Sequence, residues 1–279
     1  MIGAIIGDIV GSRFEFTEDD GRDKNFVFWG AGCQPTDDTF MTLAVANALV
    51  LANGDAEKLK STAVSSMREV GRRHSDTSWG ERFYRWLFTE NPKPYNSCGN
   101  GAGMRVSPVG WVAESEEEVK VLSRAVTEVT HNHPEGIKGA EAVAMAVYLA
   151  RTGKSKAEIK GAMQEYYPQL KDENFTIKNI YGNYGYDERG DWVTCQGSIP
   201  QALAAFFDSE SFEDAIRNAV YIGGDSDTIG AMAGSVAEAY YGVPSEIEER
   251  ALSYLSDDLK DIYREVEAIR KPRTPRKNV

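Results

Sequence analysis

The apolar residues of this chain fall at helical spacing almost from its first residue. Ile2, Ile5, Ile6, Ile9 and Val10 share one face, and Gly3, Gly7 and Gly11 form a small stripe beside them. Each glycine costs a helix roughly 1 kcal/mol relative to alanine. Three in register therefore predict a neighbouring backbone packed very close, and residues 2–12 read as a central core helix. Residues 13–36 read as a loop with an extended piece from Asn25 to Trp29. Helical spacing returns through Phe40, Leu43, Ala44, Asn47 and Val50, and again over about 56–74 and 78–88.

Punctuation between these runs follows the chemistry of helix ends. Asn91 to Gly103 is rich in proline and glycine and reads as a turn-rich loop. Ser115 with Glu118, Ser155 with Glu158, and Ser245 with Glu248 have capping-box spacing. Pro134 can open a helix whose apolar face is Ile137, Ala140, Ala144, Val147 and Tyr148. Lys171 to Ser198 has no helical period and reads as a surface loop or short hairpin. Further helices are expected over about 199–208, 211–222, 228–241 and 246–269. No alternating strand series and no repeat is present. The expectation is an all-α single domain over residues 1–269, followed by a flexible basic tail, residues 270–279.

Composition narrows the function classes. The chain has 279 residues with 31 Lys and Arg against 43 Asp and Glu, a net charge of −12. Such a surface repels nucleic acid and anionic membrane, so neither is expected as a partner. No apolar stretch approaches a membrane span, and the N-terminal one lacks a basic flank and is interrupted by Asp8. Cys33, Cys98 and Cys195 are odd in number and far apart, fitting neither a disulfide framework nor a zinc knuckle. A cytoplasmic location is expected. Nothing in the sequence sets the oligomeric state, and a monomer is compatible with it.

The candidate chemistry sits at two helix mouths. Thr36, Asp37, Asp38 and Thr39 precede one apolar helix, and Asp225, Ser226, Asp227 and Thr228 precede another. Either set alone is explained by capping of free N–H groups at the positive end of a helix. Both helices are apolar enough to belong to the core, where unpaired carboxylates are expensive. A shared cation resolves that conflict, and oxygen donors without cysteine favour magnesium or manganese over zinc. Four aspartates suffice for two divalent ions. The run Ser97 to Gly103, leading into Met104 and Arg105, can form an anion nest, although glycines often mark only a turn. His131-Asn132-His133 also occurs in nucleases, but a tripeptide is weak and the acidic surface argues against DNA. As zinc ligands the two histidines lack a third soft partner.

Five segments together resemble the ADP-ribosylglycohydrolase family, which includes the dinitrogenase reductase activating glycohydrolases and the ADP-ribosyl-acceptor hydrolases. They are GAIIGDIVGSRFEF (3–16), PTDDTFMTLAVANAL (35–49), SCGNGAGMRVSPVG (97–110), THNHPEG (130–136) and GGDSDTIGAMAGSVAEAYYG (223–242). The resemblance implies a compact, single-domain, orthogonal all-α helical bundle with a binuclear magnesium or manganese site in a central cleft, and removal of ADP-ribose from a protein or small-molecule acceptor. It places Thr36, Asp37, Asp38, Asp225, Asp227 and Thr228 as metal ligands. Glu15, Asp37 and Asp227 are the implied catalytic residues, Glu15 serving the metal site or the attacking water. Gly99, Asn100, Gly101 and Met104 lie along the ADP-ribose, and His131 stands near it. Ser226 replaces the threonine more usual in the second ligand block. The chain is short for the family, which leaves the acceptor side open.

Glycoside cleavage passes through a positively charged, oxocarbenium-like state, which a neighbouring cation does not stabilise. The ions' implied tasks are instead to fix the ribose hydroxyls and to acidify water. Two other readings stay open at this stage: a non-catalytic member that binds ADP-ribose or acts as an immunity or structural protein, and a metal-dependent nucleotide phosphohydrolase that cuts the diphosphate.

Overall fold

The computed structural model describes residues 1–17, 23–180 and 191–274, and among these it is helical without a strand; its one β-bridge joins Gly99 to Thr194. In chain order the helices are α1 (Ile2–Gly11), α2 (Asp37–Ala52), α3 (Ala56–Arg73), α4 (Glu81–Phe88), α5 (Gly101–Met104), α6 (Ser107–Val112), α7 (Glu116–Thr127) and α8 (Pro134–Arg151). They continue as α9 (Lys156–Tyr166), α10 (Ile177–Ile180), α11 (Cys195–Phe207), α12 (Phe212–Ile222), α13 (Ser226–Tyr241), α14 (Ser245–Leu252) and α15 (Asp257–Ile269). No described helix is long and apolar enough to cross a membrane.

Two almost wholly buried helices make the axis of the molecule. Every residue of α1 is buried, and so is nearly all of α13. Their glycines meet backbone to backbone: a Cβ on Gly7 would stand 2.0 Å from the Gly230 carbonyl oxygen, and one on Gly3 2.2 Å from that of Gly234. One turn further, Gly11 meets Ser226 and Asp227 in the same way. The stripe seen in the sequence therefore brings the start of α13 against the end of α1. The helix α2 crosses this pair, its first turn fixed by Thr36, whose hydroxyl accepts from the Asp38 N–H.

Several boundaries differ from the expectation, each for a local reason. Asn25 to Trp29 is a series of turns rather than an extended piece; Asp23 accepts from the Asn25 backbone and side chain, and Arg217 takes the Lys24 and Phe26 carbonyls. Ser155 and Glu158 form a complete capping box. At Ser115 only half forms, because the Glu118 carboxylate accepts from the Glu114 N–H instead. At Ser245 none forms: Pro244 is the cap, and Glu248 accepts from the Tyr263 hydroxyl at 2.7 Å, tying α14 to α15. The expected single helix over 246–269 is those two helices, broken where buried Leu255 turns inward before Ser256. The helix α11 starts at Cys195 rather than 199, because Thr194 caps it by accepting from the Gly197 N–H, and Pro200 is carried inside.

The expected boundary at residue 269 also moves. The Arg270 guanidinium lies 3.8 Å from the Trp111 ring centre and reaches the buried Glu238, which also pairs with the Met1 amine. The Lys271 and Thr274 N–H groups bond the Trp111 and Arg151 carbonyls. Residues 270–274 are thus part of the folded body, while the rest of the expected tail lies outside the described residues, as does the tyrosine-glycine stretch 181–190.

Candidate metal centre and substrate cleft

Asp8 is the one charged residue of α1, fully buried. Its carboxylate accepts from the Thr36 N–H at 2.9 Å, the Thr36 hydroxyl at 2.7 Å, the Thr39 N–H at 3.0 Å and the Thr39 hydroxyl. This clamp joins α1 to the mouth of α2. From the other side, the Thr228 hydroxyl of α13 donates to Asp38 at 3.1 Å. The two acidic mouths predicted from sequence meet at the end of α1.

Oxygens of Asp8, Asp38 and Asp227 lie within 4.8 Å of one another, and so do oxygens of Glu15, Asp225 and Asp227. Asp227 belongs to both groups, so the two are adjoining compartments of one acidic centre. The Thr36 and Thr228 hydroxyls spend their protons on Asp8 and Asp38, and Thr36 also accepts from the Asp38 N–H, so each oxygen keeps at least one lone pair for a cation. Asp37 is partly buried and stands at the edge of the centre, facing the cleft rather than closing either group.

Burial raises every carboxyl here, and repulsion between neighbours adds to it at Glu15, Asp37, Asp38 and Asp227. Burial alone pushes Asp8 up to about 6. Burial, then Asp225 and Asp8, push Glu15 up to about 7; burial, then Asp8, Asp225 and Glu15, push Asp37 up to about 8. Asp38 and Asp227 are driven well above the carboxylate range by burial and their neighbours, and burial raises Asp225 as well. These six acids cannot all ionise unaided. One oxygen of Asp38 is buried without any hydrogen-bond partner. An orphaned carboxylate oxygen among carboxylates and hydroxyls, with no sulfur or imidazole in either group, fits a hard divalent cation.

The centre opens onto a cleft of about 470 Å³ lined by Glu15, Asp37, Asp38, Asp225, Asp227 and Thr228 on one side and by Gly99 to Gly101, Met104 and His131 on another. Every sequence-predicted substrate residue therefore borders the same space as the acids. Asn100 is more than a loop residue: its amide donates to Asp225 at 2.5 Å and to Ser198 at 2.9 Å, so it holds an acid of the centre. The anion nest is largely closed. From Gly99 to Met104 the N–H groups of Gly99, Asn100, Ala102, Gly103 and Met104 bond Ser97, Val193, Gly99, Asn100 and Asn100 respectively. Gly101 keeps its N–H without an acceptor among the described residues.

Sequence reasoning passed over Asp8, Arg105, Phe16 and Tyr95, of which all but Asp8 border the cleft. The signal for Asp8 was a carboxylate alone in an apolar helix. Phe16 gave none: it is an exposed aromatic held at φ +51°, its N–H on the Gly224 carbonyl and its ring edge-on to Trp192. Such left-handed backbone in a non-glycine residue clusters at functional sites.

Comparisons with known proteins point one way. A family profile described as ADP-ribosylglycohydrolase matches residues 1–276. ADP-ribosylhydrolase ARH3 of Bos taurus is 26% identical over 93% of this chain and 89% of its own. ADP-ribosylarginine hydrolase Tri1 of Pseudomonas putida (strain GB-1) is 27% identical, covering 91% and 73%. A solved structure of an ADP-ribosylglycohydrolase-related protein complex superposes with a TM-score of 0.66 at 24% identity, over 96% of this chain and 95% of that one, and so shares the fold.

Proposed function

The chain belongs to the ADP-ribosylglycohydrolase family, and from that premise we propose that it hydrolyses the glycosidic bond between ADP-ribose and an acceptor, releasing free ADP-ribose. The acceptor is an arginine or serine side chain of a modified protein, or a small ADP-ribosylated molecule. The observation that carries the reading is the meeting of two acidic helix mouths, one orphaned carboxylate oxygen included, at the wall of a cleft that also holds the glycine loop.

Two magnesium or manganese ions are assigned to Thr36, Asp37, Asp38, Asp225, Asp227 and Thr228, with Asp8 behind them as the clamp. When bound, such ions supply charge neutralisation for the acids and a grip on vicinal ribose hydroxyls. Glu15, half-buried at the junction of centre and cleft, accepts the proton of the attacking water. The water oxygen bonds the anomeric carbon as the bond to the acceptor nitrogen or oxygen breaks, and the leaving atom takes up one proton, the equivalent of the one Glu15 accepted, so that a single water is divided between ADP-ribose and the acceptor. Gly99, Gly101 and Met104 flank the ADP-ribose, and Asn100 fixes Asp225 from the same loop. The acidic composition supports reading it as a cytoplasmic protein without a nucleic-acid partner.

Turnover of ADP-ribosyl-arginine and ADP-ribosyl-serine with magnesium or manganese tests this against Asp225→Asn. The variant is expected to lose at least roughly a hundredfold in rate, since ligand position and nucleophile both depend on that acid. Equal rates would refute the assignment. AMP rather than ADP-ribose among the products would mean that the diphosphate is cut instead.

A further inference from the structure

Arg105, directly after α5, is buried at the cleft wall without a carboxylate partner among the described residues. Its Nη2 donates to the Thr130 hydroxyl at 2.6 Å and lies 3.2 Å from Nδ1 of His131. Its guanidinium sits 5.6 Å from the Phe83 ring centre, and burial brings its pKa down to about 10, so it remains charged at neutral pH.

A guanidinium only donates. The Thr130 hydroxyl, having accepted from Arg105, has one proton to give, and Nδ1 of His131 at 2.8 Å is a nearer acceptor than the Thr127 carbonyl at 3.5 Å. Both neighbours therefore present hydrogens to Nδ1. A proton on Nδ1 would face the Arg105 N–H head-on. Burial, then the Arg105 and Arg82 charges, hold the imidazole well below its usual range, so the ring carries a single proton. That proton belongs on Nε2.

Nε2 has no acceptor among the described residues and is not sealed from the cleft. It faces the glycine loop: a Cβ would stand 3.3 Å from it on Gly101 and 3.5 Å on Gly99. Side chains at those positions would occupy the space onto which Nε2 opens.

We propose that Arg105 is a positioning residue that fixes His131 as a neutral Nε2–H donor aimed across Gly99 and Gly101, so that the ligand must place a hydrogen-bond acceptor oxygen there. The identity of that ligand as ADP-ribose rests on the function proposed above; the tautomer does not.

The test is the imidazole ¹⁵N–¹H spectrum of the ligand-free protein. Only three histidines are present, His74, His131 and His133, so His131→Gln assigns the signal. The expected pattern is a protonated Nε2 and a bare Nδ1, unchanged from about pH 6.5, where an ordinary imidazole is half protonated, up to about pH 8. A protonated Nδ1, or titration within that range, overturns the proposal, and this wild-type spectrum decides it even if a variant fails to fold. Arg105→Lys, which keeps a charged donor, should retain the pattern. Arg105→Met should let the tautomers exchange and weaken ADP-ribose binding roughly tenfold, the loss of one charge-assisted positioning bond. An unchanged tautomer in Arg105→Met would leave Arg105 a merely structural role and sink the proposal. If ADP-ribose fails to bind a protein showing the Nε2–H pattern, the function proposed above falls while the role of Arg105 stands.

Discussion

Asp8 connects the packing of the core to the chemistry at its edge. A buried carboxylate that accepts four hydrogen bonds from Thr36 and Thr39 sets where Asp37 and Asp38 stand. Asp8→Asn keeps the size but turns one oxygen into a donor that opposes those of the threonines. With manganese present, the variant is expected to lose about 1–3 kcal/mol in urea unfolding, the cost of stranding buried donors. Its kcat/KM should fall at least roughly tenfold, because the α2 mouth loses its anchor. Unchanged stability would mean that the threonines find other acceptors and that Asp8 is no clamp.

At the scale of elements, the α1–α13 contact carries the architecture of the site, because the glycines that allow it lie in register with Asp8 and Asp227. Gly7→Ala would press a methyl group onto the Gly230 carbonyl in a backbone that cannot yield. We expect a loss of at least about 3 kcal/mol in denaturant unfolding, the upper end for overpacked cores. Gly161 is the control: it is exposed within α9 with nothing near its missing Cβ, so Gly161→Ala should gain about 0.5–1 kcal/mol from helix propensity alone. If both variants behaved alike, the contact would be looser than described. The same contrast explains what was legible in the sequence. The glycine stripe, the two acidic mouths and the complete box at Ser155 are local patterns with one physical outcome each. The missing box at Ser245, the break before Ser256 and the turns at Asn25 to Trp29 depend on partners far along the chain, such as Tyr263 and Arg217, which no local pattern names. Within the site, the acids that head helices could be read directly. Asp8 and Arg105 could not, since their roles rest on which side chains meet them after folding.

For the molecule as a whole, the acidic centre makes stability depend on pH and on cations together. In the metal-free protein Asp8, Glu15 and Asp37 titrate at about 6, 7 and 8, above their ordinary values of 3.8, 4.5 and 3.8. Between about pH 4 and about pH 8 the folded protein therefore holds more protons than the unfolded chain, and linkage requires its stability to fall as pH rises through that window. Other groups pull the opposite way: burial lowers the Met1 amine from 8.0 to about 6, so it favours the folded state as pH rises between those values, and Lys156, lowered to about 8, does the same above that pH. A single melting curve would mix these terms, but the difference between stripped and manganese-saturated protein cancels them, because neither Met1 nor Lys156 belongs to the centre. Bound cations need the carboxyls deprotonated, so affinity rises over the same window. The expected result is a manganese-induced gain in Tm that is small near pH 5 and grows steadily toward pH 8, as the stripped protein weakens and the loaded one tightens. Parallel curves across that range would mean that the acids of the centre do not share a cation, and the arrangement of α1, α2 and α13 would then be a matter of packing alone.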